Sequence, residues 1–222
     1  CRLLERRSGQ EEKRPRFPYR GLVAIVAAAS LLTGAVGAVS LAGVSPAFRE
    51  LFGITSEEQA KNLGIVQMNQ VFEDKNGSGA TVTVKEAAAD QEQFYILVEF
   101  AAPEGTVLPE PDQVEEGFNR AVLWGGPDGR GIGFGAYRDE SCTSFIGSSE
   151  AGYAIDYVED SDPTDNKMEF IIRGHIDPMP KDAAYCLFSG IQSLCMQYQG
   201  EWVTMLDGMD IDLIVPLVGM GT

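Results

Sequence analysis

The sequence predicts a mainly β protein, an immunoglobulin-like β-sandwich ectodomain preceded by one transmembrane helix and a short helical stalk. Three observations carry that prediction. Short alternating or apolar runs recur from Ile65 onward, clusters of Asp, Gly and Pro separate them, and the stretch from Gly21 to Phe48 holds no ionisable side chain. Alternation with period two marks strands with one face in a core, and closely spaced turn residues bring such strands back on themselves. The 222 residues suffice for one domain with appendages.

Residues 1–20 form a basic segment. Seven Arg and Lys stand there against three Glu, whereas the remaining 202 residues carry 10 basic and 30 acidic groups. Between Gly21 and Ala42 the chain reads GLVAIVAAASLLTGAVGAVSLA. A helix of that length spans about 33 Å, the depth of a bilayer's hydrocarbon core, and being apolar on every face it needs lipid around it. Arg14, Arg16 and Arg20 flank only its N-terminal end. This asymmetry puts residues 1–20 in the cytoplasm and everything after Ser45 outside, with Phe17 and Tyr19 at the interface. A cleaved signal peptide is the competing reading. Ser40-Leu41-Ala42 offers small residues at a cleavage site, but the apolar run is long and at least 20 residues precede it. Gly34, Ala38 and Ala42 recur at four-residue spacing, which permits close approach of two helices. The chain opens on Cys1 rather than Met, so a further N-terminal part is expected.

Residues 43–64 predict the juxtamembrane stalk. Ser45 before Pro46 reads as an N-cap with proline at the first helical position, and Ala47, Phe48, Leu51 and Phe52 follow as an apolar stripe up to Gly53. A second helix is expected over residues 55–63, with Thr55 as N-cap and Glu58 completing a capping box. Both helices are expected at the membrane surface or against the base of the outer domain. Residues 65–222 then form that domain. Its strands are expected at 65–72, 80–87, 94–101, 120–124, 131–137, 143–146, 154–158, 168–174, 184–188, 202–205 and 211–217. Turns fall at 74–79, 125–129, 160–163 and Asp207-Gly208.

The order of these features resembles a known family. A basic stretch and one apolar span lead into VSPAFRELFG, then Val-Gln-Met-Asn-Gln, then TVTVKEAAADQEQFYILVEFAAPEG, and Gly200-Glu201-Trp202 stands near the end. This is similar to the extracytoplasmic regions of membrane-anchored anti-sigma factors of Gram-positive bacteria, the family catalogued as domain of unknown function 4179. The likeness covers residues 15–105, and the middle region 107–181 does not align with it. It implies a regulatory protein whose cytoplasmic part holds a sigma factor and whose outer domain responds to an envelope ligand. Residues 1–20 are too short and too charged to fold as the sigma-binding part. That partner is therefore expected through an upstream segment, and no sigma-binding residue is carried over.

Catalytic chemistry finds little footing. A net charge of −16 argues against nucleic acid as a partner, because nothing neutralises phosphates. His175 is the single histidine and reads as a surface strand residue; with no Cys-x-x-Cys, a zinc site is not expected. Asp156, Glu159, Asp160, Asp162 and Asp165 lack the turn glycine and terminal glutamate of a calcium loop, so they read as a solvated acidic stretch, as do Asp207, Asp210 and Asp212. Gly147-Ser148-Ser149-Glu150-Ala151-Gly152 is one residue too long for a nucleophile elbow, and the glycines from Gly125 to Gly135 lack the Lys-Ser/Thr of a phosphate loop. Trp124 and Trp202, the two tryptophans, make no evident sugar platform. Cys142, Cys186 and Cys195 follow the apolar span; Cys186 and Cys195 are read either as a bridge between neighbouring strands or as free buried thiols.

No catalytic, cofactor-binding or metal-binding residue, and no cofactor, is assigned. The expectation is a single-pass, non-enzymatic membrane protein with its N-terminus in the cytoplasm and an extracytoplasmic sensory domain that signals inward. The alternative is a displayed or secreted binding module of the cell surface.

Overall fold

The computed structural model describes residues 40–108, 133–148, 151–158, 162, 164–176, 179–199 and 201–218. The described residues contain a 3-10 turn at Leu41–Gly43, helices α1 (Pro46–Phe52) and α2 (Glu57–Asn62), and nine strands. These are β1 (Val66–Glu73), β2 (Thr81–Ala89), β3 (Gln93–Ala101), β4 (Gly133–Tyr137), β5 (Phe145–Ser148), β6 (Ala151–Val158), β7 (Lys167–Ile176), β8 (Tyr185–Tyr198) and β9 (Glu201–Pro216). They build two antiparallel sheets, one in the order β1-β2-β3-β7-β6 and the other β5-β4-β8-β9. The predicted strand at 120–124, the turn at 125–129 and the predicted membrane span, apart from its last three residues, lie outside the described residues. No helix among the described residues is long and apolar enough to cross a membrane.

Alternation decides which side chains go inward. On β3, Phe94, Ile96, Val98 and Phe100 are buried on one face, and Met168, Phe170 and Ile172 match them on β7. They join Phe134, Ala136, Cys186, Phe188, Leu213 and Val215 of the second sheet in one hydrophobic cluster. Phe94 sits at its centre, with ring centroids 5.7 Å from Phe134 and 4.9 Å from Phe188. Gly174 of β7 pairs with Phe94 of β3 and leaves room for its ring. The segment 180–184 runs alongside, with Ala184 N–H donating to the carbonyl of Tyr137.

On β2 the alternation changes phase. Val82 and Val84 point inward, but so do Ala87 and Ala89, because Val84 pairs with Val98 while Glu86 pairs with Leu97. Lys85 is the extra residue of a β-bulge, and the bulge turns Glu86 and Ala88 to the outer face. β1 carries a matching irregularity between Gln67 and Gln70, where Asn69 adopts a φ of 48°. Asparagine is among the few residues that enter this left-handed region readily.

Three expectations need correction. β8 continues ten residues beyond Phe188, and the runs 202–205 and 211–217 belong to one strand, β9, so Asp207-Gly208 is not a turn. Bulges between Phe188 and Ile191, between Ile191 and Ser193, and between Leu194 and Cys195 bend this ribbon without ending it. The N-cap of α2 is Ser56, not Thr55, and the capping box closes on Gln59 rather than Glu58. Gln59 reaches back to the backbone N–H groups of both Thr55 and Ser56, which explains the one-residue offset.

Candidate functional site

The N-terminal segment, residues 40–64, lies on the outer face of the first sheet. Ser45 caps α1, with its hydroxyl accepting from Phe48 N–H at 3.2 Å and Pro46 in the first turn. Gly53 ends the helix at φ 62°, the left-handed position that glycine takes without penalty. This geometry rolls Phe48 under the segment, where it is fully buried. Val44, Phe48, Ile54, Ala60 and Ile65 then cluster with Ala88, Leu97 and Ile171 of the sheet. Phe52 packs edge-on against both Phe48 (5.4 Å) and Tyr95 (4.9 Å). Leu41, within the last residues of the predicted span, already touches this cluster.

One carboxylate joins segment and sheet. Glu86 is 2% exposed, the most deeply buried charged side chain among the described residues. It accepts hydrogen bonds from Ser45 N–H at 2.7 Å, the Ser45 hydroxyl at 2.8 Å and the Gln67 side-chain amide at 2.8 Å. Since the Ser45 hydroxyl gives its hydrogen to Glu86, its lone pairs are aimed at the helix N-terminus. An unpaired carboxylate at this depth would be costly, and three charge-assisted donors offset that cost. The sequence reading missed Glu86. Its signal was two consecutive charged residues, Lys85 and Glu86, interrupting an alternating strand.

Beside this junction the outer face turns polar. Lys85 reaches both Glu99 and Glu169, and Lys167 reaches Glu99 at 3.2 Å. Partial burial works against the Lys85 charge, but Glu169 and Glu99 outweigh it and hold its pKa above the ordinary lysine value. Arg173 pairs with Asp156 further along the same face.

The remaining candidates are dispersed. His175 is exposed on β7, between Gln93 and Gly152. Asp156 lies on β6 and Asp162 and Asp165 lie beyond it, where Asp162 accepts from Thr164 and Asp165 from Lys167 N–H; Glu159 and Asp160 lie outside the described residues. No group of three or more His, Cys, Asp or Glu among the described residues is arranged to hold a metal. Asp139 accepts from Ser141, Thr143 and Ser144 in the β4–β5 loop, and the Ser141 hydroxyl foremost lowers its pKa to about 2. Cys186 and Cys195 cannot bridge each other, because both stand on β8, nine residues apart along an extended strand. Cys142, Cys186 and Cys195 are free thiols, and burial, with the Cys142 thiolate adding to it, pushes Cys186 up to about 12.

No protein-family model, no curated protein and no solved structure matches the chain.

Proposed function

We propose that this chain is a single-pass membrane protein whose outer domain, an immunoglobulin-like β-sandwich, serves a sensory or regulatory role similar to that of the anti-sigma factor ectodomains of family 4179. The predicted span between Gly21 and Ala42 anchors it in the bilayer, residues 1–20 face the cytoplasm, and the folded mass stands outside. Its partners are an envelope ligand and, through an upstream segment, a cytoplasmic sigma factor. The role is one of binding and transmission rather than catalysis.

The observation that supports this reading most is continuity. The last residues of the apolar span already belong to the domain: Leu41, in a 3-10 turn, packs against the first sheet, and Val44 is buried there. No free linker separates anchor from domain, so a displacement of the domain acts directly on the end of the membrane helix. A tethered but uncoupled module needs no such junction.

The test is fractionation of the full chain, with protease protection in sealed vesicles, followed by immunoblotting under envelope stress. The reading expects a membrane-bound species with its acidic portion outside and a stress-dependent change in size or in helix association. A freely soluble chain, or an acidic portion on the cytoplasmic side, overturns it. An anchored species unchanged under every stress favours the displayed binding module.

A further inference from the structure

We propose that residues 44–63 form a releasable strap, which lifts from the first sheet as one unit while the two-sheet core stays folded, and that the Glu86 carboxylate is its clasp. The proposal deepens the sensory reading by naming the moving part, and rests on that reading only for its biological use.

The packing divides the molecule in two. The strap's apolar side chains Val44, Phe48, Ile54 and Ala60 belong to a cluster distinct from the main core, and that cluster meets the sheet through Ala88, Leu97 and Ile171 on its outer face. Every inner-face residue of β2, β3 and β7 keeps its neighbours when the strap leaves. The strap also lacks the means to persist alone. Its helices have seven and six residues, well below the length at which an isolated helix is stable in water. Docked they hold one another; undocked they melt, so opening is all-or-none.

Both ends of the opening unit are defined. Gly64, at φ 63°, leads into β1 and packs against Val218, whose N–H donates to the carbonyl of Ala89. This point stays with the sheet and serves as the hinge. At the other end, among the described residues, the hydrogen bonds from strap to sheet run from Ser45 to Glu86. Glu86 stays anchored to the sheet through Gln67 when Ser45 departs. Any pull on the chain ahead of Ser45 therefore loads the clasp together with the packing of Leu41 and Val44.

Native-state hydrogen exchange of the full chain in detergent micelles, read by mass spectrometry at peptide resolution, tests the proposal. In the unmutated protein, amides of residues 48–63 are expected to exchange at least about 10-fold faster than those of β3 and β7, as a correlated group. Glu86→Ala should accelerate the strap by a further ~10- to 100-fold and leave β3 and β7 unchanged, since it strips partners from two Ser45 donors. Glu86→Gln should fall between, because its amide oxygen still accepts from Ser45 N–H. Phe48→Ala should act as Glu86→Ala does. The proposal is overturned if strap and core strands exchange at one rate and shift together in the variants, or if Glu86→Ala leaves strap exchange at its original level. A chain that proves soluble would sink the membrane reading and leave this result standing.

Discussion

Replacing Gly174 by alanine should destabilise the protein through two clashes, the larger with the Phe94 ring. A Cβ built at that position falls 2.3 Å from Cζ and 2.4 Å from Cε1 of Phe94, and 2.6 Å from the carbonyl oxygen of Gly152. Ordinary contact begins near 3.4 Å, so the ring or the strand must yield by about an ångström. The Phe94 ring has nowhere to go, since Phe134 and Phe188 close it in on the core side. β6, which carries Gly152, is an edge strand but is paired with β7 through Tyr153 and Gly174. Overpacking of this kind costs about 1–3 kcal/mol, and the lower chain entropy of unfolded alanine returns less than about 1 kcal/mol of it. With a urea slope of about 2 kcal/mol per molar, a net loss near 2 kcal/mol lowers the unfolding midpoint by about 1 M. The assay is urea unfolding followed by tryptophan fluorescence and circular dichroism. A second variant isolates the cause. In a Phe94→Ala background the ring is gone, so Gly174→Ala should cost at least ~1 kcal/mol less than it does alone. A midpoint within error of the unmutated protein refutes the reasoning, as does strict additivity of the two changes.

Three further outcomes follow from the same structure. Cys186, with its thiol pushed up to about 12, holds only about one thiolate in ten thousand at pH 8, so native alkylation should label Cys195 well before it, as mass spectrometry of tryptic peptides will read; equal labelling of both contradicts the burial. Asp139 has its pKa lowered to about 2 in the folded state, so whatever it adds to stability is complete above the ordinary carboxylate range and lost as pH falls through about 2. The amide shifts of Thr143 and Ser144 should titrate with that midpoint, and one near 3.8 would count against the loop geometry. Lys85→Ala leaves Glu99 and Glu169 facing each other across β3 and β7, and should cost about 0.5–1 kcal/mol at low salt, shrinking as salt is added; a loss that does not change with salt would mean that packing of the lysine stem, not charge, is responsible.

Strand periodicity and helix capping were the parts of this fold that residues declare locally. The alternation in TVTV and in FYILVEF placed β2 and β3 within two residues of their observed ends, and Ser45-Pro46 located α1 to the residue. What escaped depends on partners far away in the chain. A bulge at Lys85 exists because β2 must present Val82 and Val84 to the core and then Glu86 to Ser45, 41 residues earlier, and no local pattern encodes that distant need. Asp207-Gly208 carries ordinary turn chemistry, yet β8 pairs along its whole length and carries β9 through it. Residues 43–64 show helices in their sequence but not that the helices share a core with Ala88, Leu97 and Ile171. For the same reason the candidate site shows in the sequence only as the charged pair Lys85 and Glu86 interrupting β2, with nothing that names Ser45 as its partner. It is a contact between two segments 41 residues apart in the chain.

The ribbon of β8 and β9 bears on how such a chain is made. Tyr198 pairs with Glu201, so the two long strands meet through a tight connection in which Gln199 takes a φ of 52°. Contacts so local in sequence form quickly, and the ribbon is a natural nucleus. Yet β9 packs against β1 and β2, which leave the ribosome more than a hundred residues earlier. The first sheet must therefore wait with its oily side uncovered until β9 emerges, which exposes the nascent chain to aggregation over that interval.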